Sequence, residues 1–355
     1  MFGTLIILVA ALQAWTIPYY ALTPGDATPV APLVLISGLK TDTQHDKIML
    51  TDVYLQSLTA WQYVLMHFQD HVEFVSTGQL VDPGIPTDEL DAQSYLQMSD
   101  SKEAAEVAAL RALGWTIPAE ATGAVINGVI APSPARSAGL HVADEVVGVN
   151  SRPVHTSCDL ISVVHSLAPD VVVHLLVRRA AIDAKGVISW STPRAMSMRT
   201  APTPVGFTSS GCAGVSGGDR SWLGLSLEDG VHYALPGVFS IDTNYIGGPS
   251  AGLAMTLTLI DKLSAGSLTG HRVVAATGTI DATGNVGDVG GVAEKTIAVE
   301  RAGATVFIVP RDELGVARGA ASPGLRILGV TTLAQALSDL RALGGSAPVA
   351  LTKPH

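Results

Sequence analysis

The sequence predicts an α+β protein with three structured parts: an N-terminal transmembrane helix, a small β-rich module and a C-terminal α/β domain. Three observations predict this fold class. An uncharged apolar run opens the chain, short Val and Ile runs separated by turn residues fill its middle, and strand-like and helix-like segments alternate in its last third. With 355 residues, the chain is long enough for two or three domains.

The N-terminal run predicts a membrane anchor over residues 1–22. Phe2 to Leu22 is a stretch of 21 residues without a charge, and as a helix it would span about 31 Å, roughly one bilayer core. Trp15, Tyr19 and Tyr20 fit an interfacial aromatic belt. No basic segment precedes the run and no clear cleavage site follows it, which argues against a signal peptide. We therefore expect a retained single-span anchor in a cell membrane, with the catalytic part outside the cytoplasm.

Turn-rich segments and short strands predict a small α/β region over residues 23–110. Asp100, with Glu103 three residues later, predicts a helix start, and Gly114 predicts its end. We expect no chemistry on this helix.

Residues 111–182 predict a β-rich module with one helix. The run Ser133-Pro134-Ala135-Arg136-Ser137-Ala138-Gly139-Leu140, followed by Asp144 to Asn150, resembles the PDZ domain of bacterial proteases. The resemblance implies binding of an extended peptide as an added strand, and we place the binding edge near residues 114–117.

Two positions depart from the glycines of the PDZ pattern. Ala143 precedes Asp144, and Ser151 follows Asn150. Those glycines support turns where a positive φ is needed, so we expect the turn geometry to differ there.

Residues 183–222 contain several prolines and a Ser/Gly-rich run, which predict a linker. Residues 223–345 alternate strands and helices and predict an α/β domain of about 120 residues. Residues 346–355 are expected to form a flexible tail.

The C-terminal domain contains a candidate nucleophile. Gly248 and Pro249 precede Ser250 at the start of an apolar run, which predicts a sharp turn into a helix with free backbone N–H groups. We expect the turn at Gly248, Pro249 and Ala251 to form an oxyanion site. Ser250 alone could equally be an ordinary helix N-cap.

A candidate base, Lys295, follows 45 residues later. On a helical wheel Lys295 shares an apolar face with Val292, Val299 and Ala302, whereas Glu294 lies on another face. An exposed lysine with only its stem on this face is the alternative. Burial would lower the lysine pKa, and a neutral lysine can deprotonate a serine.

Several segments occur in the order found in one protease family. They are Gly248-Pro249-Ser250-Ala251-Gly252, Ala276-Thr277-Gly278-Thr279-Ile280, Gly290-Gly291 with Lys295, Ala302-Gly303-Ala304 and Ile308-Val309-Pro310. They resemble the proteolytic domain of the Lon family. The resemblance implies a serine endopeptidase in which Ser250 forms an acyl-enzyme, Lys295 is the general base and Thr277 orients the lysine.

Together with the anchor and the PDZ-like module, this domain is similar to membrane-anchored, ATP-independent Lon-like bacterial proteases. Gly247 and Thr279 depart from the acidic residues that many Lon proteases have at these positions.

Other functional interpretations fit less well. Gly248-x-Ser250-x-Gly252 also matches an α/β-hydrolase elbow, but His271 and the terminal His355 are the only downstream histidines. Glu294 before Lys295 argues against a phosphate-binding loop, so no nucleotide is expected. An inactive PDZ scaffold remains an alternative.

We expect no cofactor, because His67 and His71 lack the glutamate of a zinc-protease motif, and we expect no metal. The composition also bears on partners. A net charge of −10 with scattered Lys and Arg argues against nucleic-acid binding. Partners are therefore polypeptide substrates and a membrane, with homo-oligomerisation left open. Cys158 and Cys212 could form a disulfide or remain separate buried thiols.

Overall fold

The structure is a computed structural model that describes residues 12–43, 46–80, 86, 89–182, 188–205, 212, 220–244 and 246–352. Within these residues, the strands are β1 (Thr16–Pro29), β2 (Val34–Ser37), β3 (Ile48–Thr59), β4 (Glu73–Ser76), β5 (Ala119–Val129), β6 (Glu145–Val149), β7 (Arg152–Pro153), β8 (Val172–Arg178), β9 (Ala180–Ile182), β10 (Ile188–Trp190), β11 (Arg194–Arg199), β12 (Ala201–Pro202), β13 (Ser221–Trp222), β14 (Leu225–Tyr233), β15 (Val238–Ile241), β16 (Val274–Ala276), β17 (Thr279–Ile280), β18 (Val286–Gly287), β19 (Val306–Pro310) and β20 (Arg326–Val330). The α-helices are α1 (Ala60–Met66), α2 (Thr77–Leu80), α3 (Leu90–Ala112), α4 (Pro134–Ser137), α5 (Ser157–Ser166), α6 (Gly252–Leu263), α7 (Val292–Arg301), α8 (Leu314–Ala320) and α9 (Leu333–Ala342).

The larger domain is built on a mixed sheet with the strand order β20-β19-β16-β3-β1-β4. Strands β20, β19, β16 and β3 run parallel, while β1 is antiparallel to both β3 and β4. Successive side chains of a strand point to opposite faces. Val306 and Ile308 therefore join the core under α3, α6 and α9, whereas Phe307 and Val309 join the core under α7 and α8. Helices cover both faces of this sheet.

The predicted transmembrane helix over residues 1–22 is wrong. Thr16 to Leu22 belong to β1, where Leu22 pairs with Leu55 of β3 and Tyr20 pairs with Val75 of β4. The run is uncharged and long enough for a membrane span, and hydropathy alone cannot distinguish such a segment from a strand inside a sheet. Residues 1–11 lie outside the described residues. Among the residues described, no helix has the length and apolar character needed to cross a bilayer.

The same sheet joins regions that are distant in the sequence. β1, β3 and β4 come from the predicted 23–110 region and its preceding run, whereas β16, β19 and β20 come from the predicted 223–345 domain. Val274 of β16 pairs with Ile48 of β3. Residues that precede the β-rich module therefore complete the sheet of the C-terminal domain.

The second large sheet forms the β-rich module, with the order β11-β8-β6-β5-β14 and β7 beside β6. Its two edge strands, β11 and β14, both lie after residue 182, the end of the predicted module. β11 lies in the predicted linker, and β14 lies in the predicted C-terminal domain. The core of this sheet includes Leu140, Leu160 and Val164.

The two departures from the PDZ pattern occur at left-handed turns. Ala143 has φ 67° and Ser151 has φ 66°, so both residues take the conformation that favours glycine. Both turns therefore keep the positive φ that glycine would allow, although neither residue is a glycine, and the expected change in turn geometry is not seen.

Two other predictions differ from the structure, while the alternative left open for the two cysteines is decided by it. α3 begins at Leu90, ten residues before Asp100, so Asp100 and Glu103 lie inside the helix; Gly114 follows its end with φ 90°. The predicted tail is held by hydrogen bonds as far as Thr352, including Ser346 N–H to the Ser267 carbonyl at 2.7 Å. Residues 353–355 lie outside the described part. Cys158 and Cys212 form a disulfide.

Candidate active site

Ser250 lies two residues before the first residue of α6, in a turn that begins at Gly248. Gly248 has φ 80°, a conformation that side chains oppose. The helix N-cap is Ala251, and no side chain caps this end of α6. The N-cap interpretation of Ser250 is therefore wrong, and in the described structure its hydroxyl makes no hydrogen bond.

The turn is held from two sides. On one side, the Gly248 N–H donates to the Ser94 carbonyl at 2.8 Å, and Ser101 Oγ donates to the Pro249 carbonyl at 3.0 Å. On the other side, the Gly278 N–H donates to the Ser250 carbonyl at 3.0 Å. The Gly247–Gly248 and Pro249–Ser250 peptides are thus bonded to α3, and the Ser250 carbonyl is bonded to the segment after β16.

Thr277 connects the serine segment to the lysine. It directly follows β16, and its side chain is fully buried. Its hydroxyl donates to the Ser250 carbonyl at 3.2 Å and accepts from Lys295 Nζ at 3.4 Å. A single hydroxyl therefore fixes the amine relative to the backbone of the nucleophile.

Lys295 is buried, with 2% of its surface exposed. It lies in the first turn of α7 beside Val292, which is 4% exposed, and one turn before the fully buried Val299. Burial lowers the pKa of Lys295 to about 8, and the carboxylates of Glu313 and Asp52 oppose part of this shift. An appreciable fraction of Lys295 is therefore neutral near physiological pH.

The position of α7 depends on close packing at its N-terminus. Its N-cap, Gly291, has φ 65°, and a Cβ there would lie 2.8 Å from Val53 Cγ1. Glu294, which we expected on a different face from Lys295, is also buried. Burial raises the Glu294 pKa. The buried face of α7 is therefore wider than the face that the helical wheel predicts.

The structure explains the absence of an acidic side chain at position 247. A Cβ on Gly247 would lie 2.2 Å from Ser94 Oγ of α3. The space that a side chain would need is occupied by this helix. Thr279 lies in β17 and packs against Gly287, where a Cβ would lie 2.5 Å from its hydroxyl.

Backbone N–H groups at the turn have different partners. The Gly248 N–H is used by Ser94, and Pro249 has no N–H, so neither residue can donate to an oxyanion. The N–H groups of Ser250 and Ala251 make no hydrogen bond within the described residues. Of the three turn residues that we predicted, Ala251 alone keeps a donor.

The α/β-hydrolase alternative fails on local geometry. β15 ends at Ile241, nine residues before Ser250, so no strand leads directly into the serine turn. His271 is 87% exposed and has Asp46 as its ion-pair neighbour at 3.7 Å. The strand–serine–helix arrangement of that fold is not present in the described structure.

Four residues near the dyad were not predicted. Ser94 and Ser101 come from α3, Asp52 from β3, and Glu313 from the 3-10 turn Arg311–Glu313. Ser101 precedes Pro249 by 148 residues, and no local motif marks this distance in the sequence. The Ala-rich sequence of α3 gives no sign of what the helix contacts.

Comparisons with known families agree with this geometry. The Lon protease (S16) C-terminal proteolytic domain matches residues 243–317, a range that contains Ser250, Thr277 and Lys295. The PDZ domain family matches residues 96–186.

Similar proteins include the Lon protease of Ureaplasma parvum, which is 44% identical over 66 residues, or 19% of this chain and 8% of that protein. The Lon protease of Clostridioides difficile is 43% identical over 65 residues (18% and 8%), and that of Rickettsia felis is 37% identical over 67 residues (19% and 8%). The chain therefore spans less than a tenth of the length of these relatives. The similarity to a serine peptidase of the Lon type is thus confined to residues 243–317, and the similarity to a PDZ domain is confined to residues 96–186.

Proposed function

We propose that this chain is an ATP-independent endopeptidase that uses Ser250 as nucleophile and Lys295 as general base. The observation that carries the proposal is the buried amine of Lys295, which is joined to the backbone of Ser250 through the Thr277 hydroxyl. A buried lysine without a carboxylate in direct contact is costly to keep in a structure. A catalytic role for its neutral form accounts for that cost.

The first half-reaction forms an acyl-enzyme. Ser250 Oγ attacks the scissile carbonyl carbon while neutral Lys295 Nζ accepts the hydroxyl proton, which gives a tetrahedral oxyanion and an ammonium group. The N–H groups of Ser250 and Ala251 supply the donors for the oxyanion. When the intermediate collapses, the C–N bond breaks and Lys295 returns its proton to the leaving amine.

The second half-reaction releases the acyl group. Neutral Lys295 accepts a proton from a water molecule while the water oxygen attacks the carbonyl carbon of the Ser250 ester. The C–O bond to Ser250 then breaks, and the proton returns to Ser250 Oγ. The products are two shorter polypeptides and the original enzyme.

A nucleotide has no role in this proposal. Lys295 lies inside the protein against Thr277, which does not fit the lysine of a phosphate-binding loop that must reach its ligand. The activity is therefore expected without ATP.

The PDZ domain supports polypeptides as the substrate class. Trp115 and Ile117, in the segment that we proposed as the binding edge, are buried in the core of the larger domain. β14 is instead an outer strand of the PDZ sheet, and it leads through β15 to the Ser250 turn. We propose that substrates reach the serine from this edge.

The disulfide between Cys158 and Cys212 supports an oxidising compartment outside the cytoplasm. Reaction of the unreduced protein, purified from its native compartment, with a thiol-specific reagent would test this assignment. Two free thiols would contradict it.

Cleavage of unfolded casein without nucleotide tests the proposed activity. We expect fragments from the wild type, and less than about 1% of that rate from Ser250→Ala and Lys295→Ala, since each removes one member of the dyad. Lys47→Ala, at an exposed lysine, is the matched control and should cleave normally. Equal cleavage by wild type and Ser250→Ala would overturn the proposal and favour an inactive PDZ scaffold.

A further inference from the structure

α3 connects the PDZ domain to the nucleophile turn. Near its N-terminus, Gln93 Nε2 donates to Asn127 Oδ1 of β5 at 3.3 Å, and Leu96 packs with Val125 and Val142 of the PDZ domain. Further along, Ser101 contacts the turn that contains Ser250. One rigid helix therefore contacts both domains.

Ser101 is closely packed at this contact. It is 4% exposed, and its Oγ donates to the Pro249 carbonyl at 3.0 Å. A Cβ on Gly252 would lie 2.9 Å from Ser101 Oγ and also 2.9 Å from Ile280 Cγ2. The hydroxyl is thus held between the turn and the first residue of α6.

The Pro249 carbonyl has one other hydrogen bond in the described residues, from the Gly252 N–H at 3.3 Å, which is a long distance for an amide donor. Without Ser101 Oγ, the Pro249 carbonyl would keep only the weaker hydrogen bond from the Gly252 N–H. Rotation of that peptide moves both Ser250 Oγ and the Ser250 N–H.

We propose that Ser101 is a positioning residue of the peptidase, which fixes the Pro249–Ser250 peptide and thereby the position of Ser250 Oγ. This proposal rests on the proposed function. Ser101 touches no reacting atom and acts through the turn alone. Because a misplacement of about 1 Å can cost about 100-fold in rate, a single lost hydrogen bond at this peptide is expected to be visible in kcat.

The matched pair of variants is Ser101→Ala and Ser338→Ala. Ser338 is an exposed serine on α9, outside the active site and the β14 edge. Peptide hydrolysis is measured per active site, with the active sites counted by titration with a fluorophosphonate, together with Tm. We expect Ser101→Ala to lower kcat by about 10- to 100-fold with KM within about twofold, and Ser338→Ala to match the wild type.

A purely structural role predicts a different result. In that case Ser101→Ala would lower Tm or the fraction of titratable sites, while kcat per site would stay within about twofold of the wild type. That result would overturn the positioning role and leave the proposed function intact. If hydrolysis by the wild type does not depend on Ser250, both proposals fail.

Discussion

Lys295 Nζ donates a hydrogen bond to Thr277 Oγ1 across 3.4 Å inside a fully buried environment. The proton of the Thr277 hydroxyl is directed to the Ser250 carbonyl. The Thr277 hydroxyl accepts a hydrogen bond from the Lys295 amine, so one N–H bond of the amine points at the hydroxyl. In the neutral amine this also restricts the direction of the nitrogen lone pair. The threonine thus links the orientation of the Lys295 amine to the backbone of Ser250.

Thr277→Val is expected to lower kcat by about 10- to 100-fold, because valine has nearly the same shape but cannot accept from Lys295 or donate to Ser250. Thr277→Ser keeps the hydroxyl and should retain most of the activity. Steady-state peptide hydrolysis by the two variants measures the difference. Equal loss in both variants would contradict a specific role of the hydroxyl and would point to the packing of the whole threonine side chain.

The rate should depend on the protonation of Lys295. Because burial lowers its pKa to about 8, kcat/KM is expected to rise with pH and to reach half its maximum near pH 8. Glu313→Gln removes a negative charge that raises this pKa but keeps an acceptor for the Val289 N–H. The midpoint of the pH profile of this variant should therefore move to lower pH.

The control for this shift is Asp312→Asn, at an exposed carboxylate that is adjacent to Glu313 in the chain. It should leave the midpoint in place. An equal shift in both variants would point to a general change in surface charge and would argue against a local effect of Glu313 on the amine.

Lys295→Met is expected to abolish activity and to stabilise the fold. The folded pKa of about 8 lies below the ordinary value of 10.5, so burial of the charged amine costs about 3 kcal/mol at pH 7. Between pH 8 and pH 10.5 the unfolded state binds more protons, so wild-type stability rises with pH and the advantage of the variant shrinks. Denaturant unfolding at pH 7 and pH 10 measures both values. A gap of the same size at both pH values would contradict burial of an ionisable amine.

Ser151→Gly should raise the free energy of unfolding by about 1 kcal/mol, since Ser151 holds φ 66° in an exposed turn. Ser57→Gly is the matched control, at an exposed position inside β3, and should lower the same free energy. Urea unfolding monitors both variants. A loss of stability in Ser151→Gly would show that the serine side chain contributes more than the turn strain costs.

The pairing of Ser250 with Lys295 is a prediction that rests on local signals in the sequence. The glycine–proline turn before Ser250, the apolar stripe around Lys295 and the segment at Thr277 each lie within a few residues of the group that they position. The same locality accounts for the Ser-Pro-Ala turn of the PDZ domain, where Ser133 Oγ accepts from the Arg136 N–H at 3.1 Å.

Features that depend on distant pairing were not predictable. Val274 pairs with Ile48 across more than 200 residues, and β14 pairs with β5 of the PDZ sheet although the whole predicted linker lies between β14 and the predicted module. The N-terminal run matches a membrane span in hydropathy, although only Ala21 and Leu22 of Thr16 to Leu22 are buried in the structure. The contact of Ser101 with the Ser250 turn was not predictable for the same reason. Nothing in the sequence around a buried helical residue indicates which distant turn it contacts.

The most direct test of the dyad is the rate at which a fluorophosphonate labels the protein, followed by intact mass and peptide mapping between pH 6 and pH 10. The wild type is expected to gain one adduct on Ser250, at a rate that rises with pH and has its midpoint near 8. Lys295→Met should be labelled at least about 100-fold more slowly. Labelling of Lys295→Met at the wild-type rate, or a wild-type rate that does not change with pH, would contradict Lys295 as the base for Ser250.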